Sequence, residues 1–246
     1  MHLHDWHAAL YLVLREFDPA CAPLQGIRTV LTIHNLAFQG IRPFEGHASS
    51  LRTWFPKLVY RPALIGDPRY RDCVNPLAAG IRLADRVHTV SPSYAKEIQR
   101  PSEPAAGFWG GEGLQADLAA AAEQQRLFGI LNGCVYPPRP PRRPTWRSFL
   151  RQAQAELLTW AAGRPALASA HFVADKKLVE IDQKRPSTLL TSVGRITEQK
   201  VSLFCEPTHG GERALAAILA ADRDALCIML GNGDPRYEQI MTQLAL

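Results

Sequence analysis

Apolar and polar positions along the chain follow two rhythms. Short β-branched runs end in polar or glycine-containing corners, and stretches of helical spacing follow them. The chain begins almost directly in a strand, HLH, and passes into WHAALYLVL, a helical pattern for which Asp5 is a natural N-cap. RTVLTIHN (28–35) reads as a buried strand with a polar end. NPLAAGIRLA (75–84) has helical spacing, with Leu77, Ile81 and Ala84 on one face. DRVHTV (85–90) is a further strand, and SPSYAKEIQ (91–99) starts a helix with Ser91 as N-cap and Pro92 at the first helical position. FGILNG (128–133) is another apolar run, closed by Asn-Gly.

The rhythm then breaks. YPPRPPRRPTW holds too many prolines to pair in a sheet or continue a helix and reads as an extended boundary. Beyond it the pattern predicts helix over 148–181, a buried strand over TLLTSVGRI (188–196), and strand, glycine turn and helix over 225–246, with Asp234 as cap and Pro235 following. Strands alternating with helices predict an α/β fold with parallel sheets. The predicted organisation is an α/β domain over 1–135, a Pro/Arg-rich linker and helical insert over 136–186, and the start of a second α/β domain over 187–246. Few strands fall on either side of the boundary, so both sheets are expected to be incomplete and the chain is read as a fragment at both ends. An incomplete sheet exposes apolar edge and face, so this polypeptide by itself is expected to be unstable or aggregation-prone.

Composition narrows the class. The chain has 246 residues, 46% of them hydrophobic, enough for a sizeable core. The net charge of +5 suits an anionic ligand, and Arg139, Arg142, Arg143, Arg147 and Arg151 crowd around the prolines. No aromatic interleaving accompanies them, so a nucleic-acid partner is not expected. Five scattered cysteines without a C-x-x-C pair argue against a disulfide framework or a thiolate zinc site and for a reducing compartment. No apolar run reaches the roughly 18 residues of a membrane span, and AALYLVL lacks the flanks of a signal peptide. A cytoplasmic location without membrane partners is expected.

MHLHDWH invites a metal reading. Hydrolases with H-x-H-x-D-H place their ligands at a strand end, but here Asp5 comes one position early and Trp6 stands where the carboxylate belongs. A one-residue shift turns the side chain to another direction. No second ligand cluster follows, so no metal is assigned. His2 and His4 are instead expected on one face of the strand, buried or hydrogen-bonded. A strand end running into a helix N-terminus is also where α/β sheets form their crevices.

In order, HDWHAAL, TIHNLAFQG, AGIRLADRVHTVSPSYAKEI, GLQADL, FGILNG, TSVGRITEQK and LGNGDPRYE closely resemble the bacterial glycogen synthases and plant starch synthases. The resemblance is nearly continuous over 1–133 and resumes over about 188–240, while 136–186 matches poorly. It implies a GT-B architecture, two Rossmann-like parallel-sheet domains facing a cleft. The implied activity transfers glucose from ADP-glucose to the non-reducing end of an α-1,4-glucan with retention, without a metal or other cofactor. The implied partners are the nucleotide sugar and the glucan.

Three chemical needs can be matched to residues. Charge builds on the departing diphosphate, and Arg195 and Lys200, just past a strand end, resemble the family's phosphate-clamping cations. The anomeric carbon becomes oxocarbenium-like, and His34 resembles the histidine that contacts the reacting sugar. Asn35 stands beside it, Asp5 and His7 resemble residues lining the glucose and acceptor side, and Asn132 a further sugar contact. The nucleotide must be seated, and Gly231 and Gly233 would let backbone approach it. Each has an ordinary alternative: a solvated basic pair, a satisfied strand-edge histidine, an Asn-Gly turn, a tight strand–helix turn.

The chain departs from the family in places. The Lys-x-Gly-Gly loop and the later Glu-bearing loop have no counterpart, and Glu206-Pro207 resembles the latter by letters only. Val201 stands where glycine is usual, and Cys134-Val135 where an aspartate is. The alternatives are a noncatalytic member of the fold that binds glucan or nucleotide, a GT-B enzyme using another nucleotide sugar, and a metal hydrolase built on HLHDWH.

Overall fold

The computed structural model describes residues 1–136, 138, 143–181 and 185–246. Arg139 and Arg142 of the arginine cluster lie outside the described residues. The chain divides into two compact units, Met1–Tyr136 and Pro137–Leu246.

The first unit runs β1 (His2–His4), α1 (Asp5–Phe17), β2 (Val30–Ile33), β3 (Arg42–Pro43), α2 (Leu51–Trp54), α3 (Pro62–Ile65), β4 (Cys73–Val74), α4 (Pro76–Leu83), β5 (Arg86–Thr89), α5 (Pro92–Glu97), α6 (Gln115–Glu123) and β6 (Leu127–Gly129). Four strands form a parallel sheet in the order β1-β2-β5-β6. The register sets Leu3 beside Leu31, Leu31 beside Val87 and Val87 beside Leu127. Because side chains alternate across a sheet, these residues share one face. There they form a core with Ala9 and Leu12 of α1, Leu77 and Ile81 of α4, and Leu118 of α6. Gly80 sets the packing distance, since a Cβ there would lie 2.7 Å from a Leu31 methyl and 2.9 Å from Ala9 Cβ.

The α5 start forms as its sequence predicts, and α4 begins in the same way. Asn75 accepts from the Ala78 amide, Ser91 accepts from the Tyr94 amide, and a proline follows each cap. The start of α1 does not. His4 occupies the cap position without a side-chain bond, and Asp5 is the first helical residue, at φ +53°. Its carboxylate turns to the neighbouring strand end instead of to its own helix. A long-range acceptor role has displaced the local one, at the cost of a left-handed backbone that aspartate tolerates better than most residues. The FGILNG run also ends early: β6 stops at Gly129, and Ile130, Leu131 and Asn132 are exposed.

The second unit contains α7 (Trp146–Ala162), α8 (Ser169–Ile181), β7 (Thr188–Val193), α9 (Glu198–Cys205), α10 (Ala214–Ala221), β8 (Ala225–Leu230) and α11 (Pro235–Leu244). The helical insert is thus two helices, placed in this unit. β7 and β8 pair in parallel from Thr188↔Ala225 to Val193↔Leu230. Asp234 caps α11 as expected, accepting from the Arg236 amide. The expectation of a buried strand over 188–196 fails, because Leu189, Leu190 and Val193 are all exposed. Among the described residues of this unit the sheet has two strands, and its core cluster joins the end of β8 to the 194–196 turn and the helices α9 and α11. There Ile196, Val201, Cys205 and Tyr237 pack with Phe204, Met229, Ile240 and Met241. No described helix is long and apolar enough to cross a membrane.

Candidate active site

The carboxyl ends of β1 and β2 carry the first cluster. β1 ends at His4 and β2 at Ile33, so His34 leaves the sheet beside the start of α1. The His34 amide donates to Asp5 Oδ1 at 2.7 Å. His4 Nδ1 and His34 Nε2 lie 3.0 Å apart with the rings stacked at 5.3 Å, so one ring donates its N–H to the other. Backbone and imidazole of His34 are therefore held by adjacent residues, His4 and Asp5, while the ring remains exposed. Asn35 Oδ1 accepts from the Ala37 amide at 3.0 Å, closing a local turn that directs the chain away from the sheet. His7 is exposed, with its ring stacked on Trp6 at 3.8 Å. Asn132 is exposed beyond β6 and makes no side-chain hydrogen bond among the described residues.

A second set of groups crosses the polar face of the same sheet. His2 and His4 do share one face of β1, and they are exposed and hydrogen-bonded, not buried. The register places His4 beside Thr32 and Thr32 beside His88. His2 Nε2 lies 2.5 Å from Thr32 Oγ1, Thr32 Oγ1 lies 2.9 Å from His88 Nδ1, and His88 Nε2 lies 3.2 Å from the Ile130 carbonyl. A carbonyl can only accept, so neutral His88 donates from Nε2 and accepts at Nδ1. The Thr32 hydroxyl then donates to His88 and accepts from His2. Partial desolvation by its neighbours lowers the pKa of the exposed His2, helped by the positive charge that His4, His88, the N-terminus and His34 can carry. Sequence reasoning placed His2 and His4 on one face but did not single out Thr32 or His88. The signal was the two-residue spacing of HLH, TIH and VHT, which places these side chains on one face of neighbouring strands.

In the second unit the two strand-end turns interlock. The Gly194 amide donates to Leu230 O, Ile196 N to Asn232 O and Asp234 N to Ile196 O, at 3.0, 2.9 and 2.7 Å. A Cβ at Gly231 would lie 1.8 Å from Gly194 O, and one at Gly233 would lie 2.1 Å from Ile196 O. The close backbone approach that requires glycine is thus to the chain's own 194–196 turn. The Gly233 amide is already engaged, donating to Glu238 Oε1 at 2.6 Å. Arg195 projects from this turn, and Lys200 lies in the first turn of α9. Both are exposed, and neither forms an ion pair among the described residues. The structure gathers Asp5, His34 and Asn35 in one unit, and Arg195, Gly231 and Gly233 in the other.

Fold and site define an α/β protein whose polar groups collect at the carboxyl ends of parallel strands, the position of ligand crevices in this class. Residues 1–120 match the starch synthase catalytic domain family. The chain is 35% identical to a glycogen synthase of Anaeromyxobacter dehalogenans over 251 aligned residues, covering all of this chain and 45% of that protein. It is 34% identical to one from Streptococcus equi subsp. equi over the same length and coverage. The catalytic domain of starch synthase IV from Arabidopsis thaliana, bound to ADP and acarbose, superimposes with a TM-score of 0.59 at 22% identity, over 99% of this chain and 44% of that one. The chain belongs to the glycogen synthase and starch synthase catalytic-domain family. It spans about 45% of the length of these curated relatives.

Proposed function

We propose that this chain carries sugar- and nucleotide-binding parts of an ADP-glucose-dependent α-1,4-glucan synthase, which extends a glucan by one glucosyl unit with retention. The observation that carries the reading is the exposed His34 imidazole, fixed at the end of β2 by His4 and Asp5. A sugar-binding histidine needs that preorganisation, because transition-state stabilisation depends on donors that do not reorganise. In the reaction, the bond from the anomeric carbon to the diphosphate oxygen breaks with its electron pair passing to that oxygen. The glucan hydroxyl oxygen forms the new bond to that carbon, and its proton passes to the departing diphosphate. His34 and Asn35 would hold the sugar, with Asp5 and His7 on the acceptor side and Asn132 beyond.

Arg195 and Lys200 would neutralise the leaving diphosphate, a task this reading gives to side chains and not to a metal. Their lack of ion pairs among the described residues supports it, since a cation already paired has less field to offer a phosphate. The ADP bound to the Arabidopsis starch synthase supports a nucleoside diphosphate as ligand. Five free cysteines suit the reducing, cytoplasmic setting this reading assumes.

Melting curves with ADP or UDP, with glycogen co-sedimentation alongside, test the proposal. It requires that ADP raise the melting temperature, that UDP have much less effect, and that the chain pellet with glycogen. Equal stabilisation by the two nucleotides contradicts the ADP-sugar assignment, and failure of both assays contradicts the synthase reading.

A further inference from the structure

We infer that His88 is a positioning residue for Asn132: one bond from its ring to the chain leaving β6 holds the segment on which that sugar contact stands. The inference rests on the synthase reading, which assigns Asn132 to the sugar, and adds the side chain that acts through it. β6 stops at Gly129, and Ile130, Leu131 and Asn132 are exposed beyond it. The Asn132 side chain makes no hydrogen bond among the described residues, so its place is set by the backbone before it.

That backbone is held at two successive residues and then released. Gly129 brings the strand end against the start of α5, where a Cβ would come 2.3 Å from Ser91 O. The Ile130 amide donates to Thr89 O at 2.9 Å, and the Ile130 carbonyl accepts from His88 Nε2 at 3.2 Å. A peptide unit is planar. The first bond therefore fixes the plane that enters Ile130, and the second fixes the plane that leaves it toward Leu131. Together they set both soft torsions of this residue. From Leu131 to Tyr136 no hydrogen bond follows among the described residues. Ile130 is thus the last anchor before Asn132, two residues on, a reach of about 7 Å at most. Without the His88 bond, the torsion that aims the chain toward Asn132 turns freely.

The donor is prepared from behind. The register sets Thr32 beside His88 and His88 beside Phe128, so the bonds cross the sheet in order toward the β6 exit. Thr32 Oγ1 lies 2.9 Å from His88 Nδ1, and His2 Nε2 lies 2.5 Å from Thr32 Oγ1. Thr32 is 2% exposed, so its hydroxyl has no bulk water to turn to. Its single proton, given to His88 Nδ1, keeps the His88 proton on Nε2, and its oxygen accepts from His2. The chain of donors therefore runs one way and ends on the Ile130 carbonyl. His88 belongs to none of the buried core clusters, which leaves these two bonds as its part in the fold.

Calorimetric titration of ADP-glucose and of ADP into the intact chain, His88→Leu, His88→Gln, Asn132→Ala and the His88→Leu/Asn132→Ala pair tests the inference. The glutamine amide can stand where Nε2 stands and donate to Ile130 O, so it keeps the tether that leucine removes. His88→Leu and Asn132→Ala should each weaken ADP-glucose about fivefold and leave ADP unchanged. The pair should bind no worse than Asn132→Ala alone, and His88→Gln should bind as the wild type does. A merely structural role for His88 would weaken both ligands alike. Unaltered ADP-glucose binding in folded His88→Leu or Asn132→Ala overturns the inference, and so do losses that add in the pair. A neutral His88 carrying its proton on Nδ1 in nitrogen NMR spectra overturns it too. If the wild type binds neither nucleotide, the synthase reading fails. Backbone order at 131–133 then decides the tether by itself: it should fall in His88→Leu and return in His88→Gln, and equal order in all three proteins overturns it.

Discussion

The backbone amide of His34 donates to the Asp5 carboxylate at 2.7 Å, tying the end of β2 to the first residue of α1. Asp5 reaches it only from a left-handed backbone, at φ +53°. Strain of this kind concentrates at functional sites, where surrounding structure over-determines it. Asp5→Ala removes a charge-assisted bond and places a residue with no local polar compensation at positive φ. The expected loss of stability is about 1–2 kcal/mol. Asp5→Asn keeps an acceptor and tolerates the backbone, so it should cost less than half of that. Urea denaturation checks the order, and faster exchange of the His34 amide in Asp5→Ala locates the effect.

The polar sheet face makes stability depend on pH in a definite direction. His2 has a lower pKa folded than its ordinary value of 6.5, through partial desolvation and neighbouring positive charge. The unfolded chain therefore takes up this proton first as pH falls. The contribution of His2 to stability is fully present above the ordinary value, falls as pH drops through it, and stops changing below the folded value. His2→Gln should flatten the dependence between about pH 7.5 and pH 5.5. Urea midpoints for both proteins across that interval measure it, and equal slopes would remove His2 from the account.

The glycines of LGNGD make a prediction about packing. Gly231→Ala and Gly233→Ala each drive a methyl into the 194–196 backbone, which cannot swing aside as a side chain would. Each should cost about 2 kcal/mol or more. A methyl at Gly194 would meet nothing within 4 Å, so Gly194→Ala should change stability by less than about 0.5 kcal/mol. Fluorescence of Trp146 and Trp160 reports this unit's unfolding.

What was legible in the sequence was what local chemistry decides. Ser91-Pro92 and Asp234-Pro235 mark helix starts because cap and proline act within one turn. The parallel strands were legible from β-branched runs between helical patterns. Asp5 was misread because a local cap and a long-range acceptor use the same carboxylate, and only the fold shows which bond forms. The 188–196 strand was misread because apolar content implies burial only where a covering layer exists. Gln39, Arg69 and Asn75 left no motif, since their network joins positions far apart in the chain.

The central claim is that Arg195 and Lys200 bind the diphosphate of ADP, and calorimetric titration of ADP into the wild-type chain, Arg195→Ala and Lys200→Ala tests it most directly. Both side chains are exposed, so neither variant should unfold the protein. The account predicts saturable binding to the wild type and affinity about tenfold lower or worse in each variant. Wild-type affinity for ADP in both folded variants would contradict it.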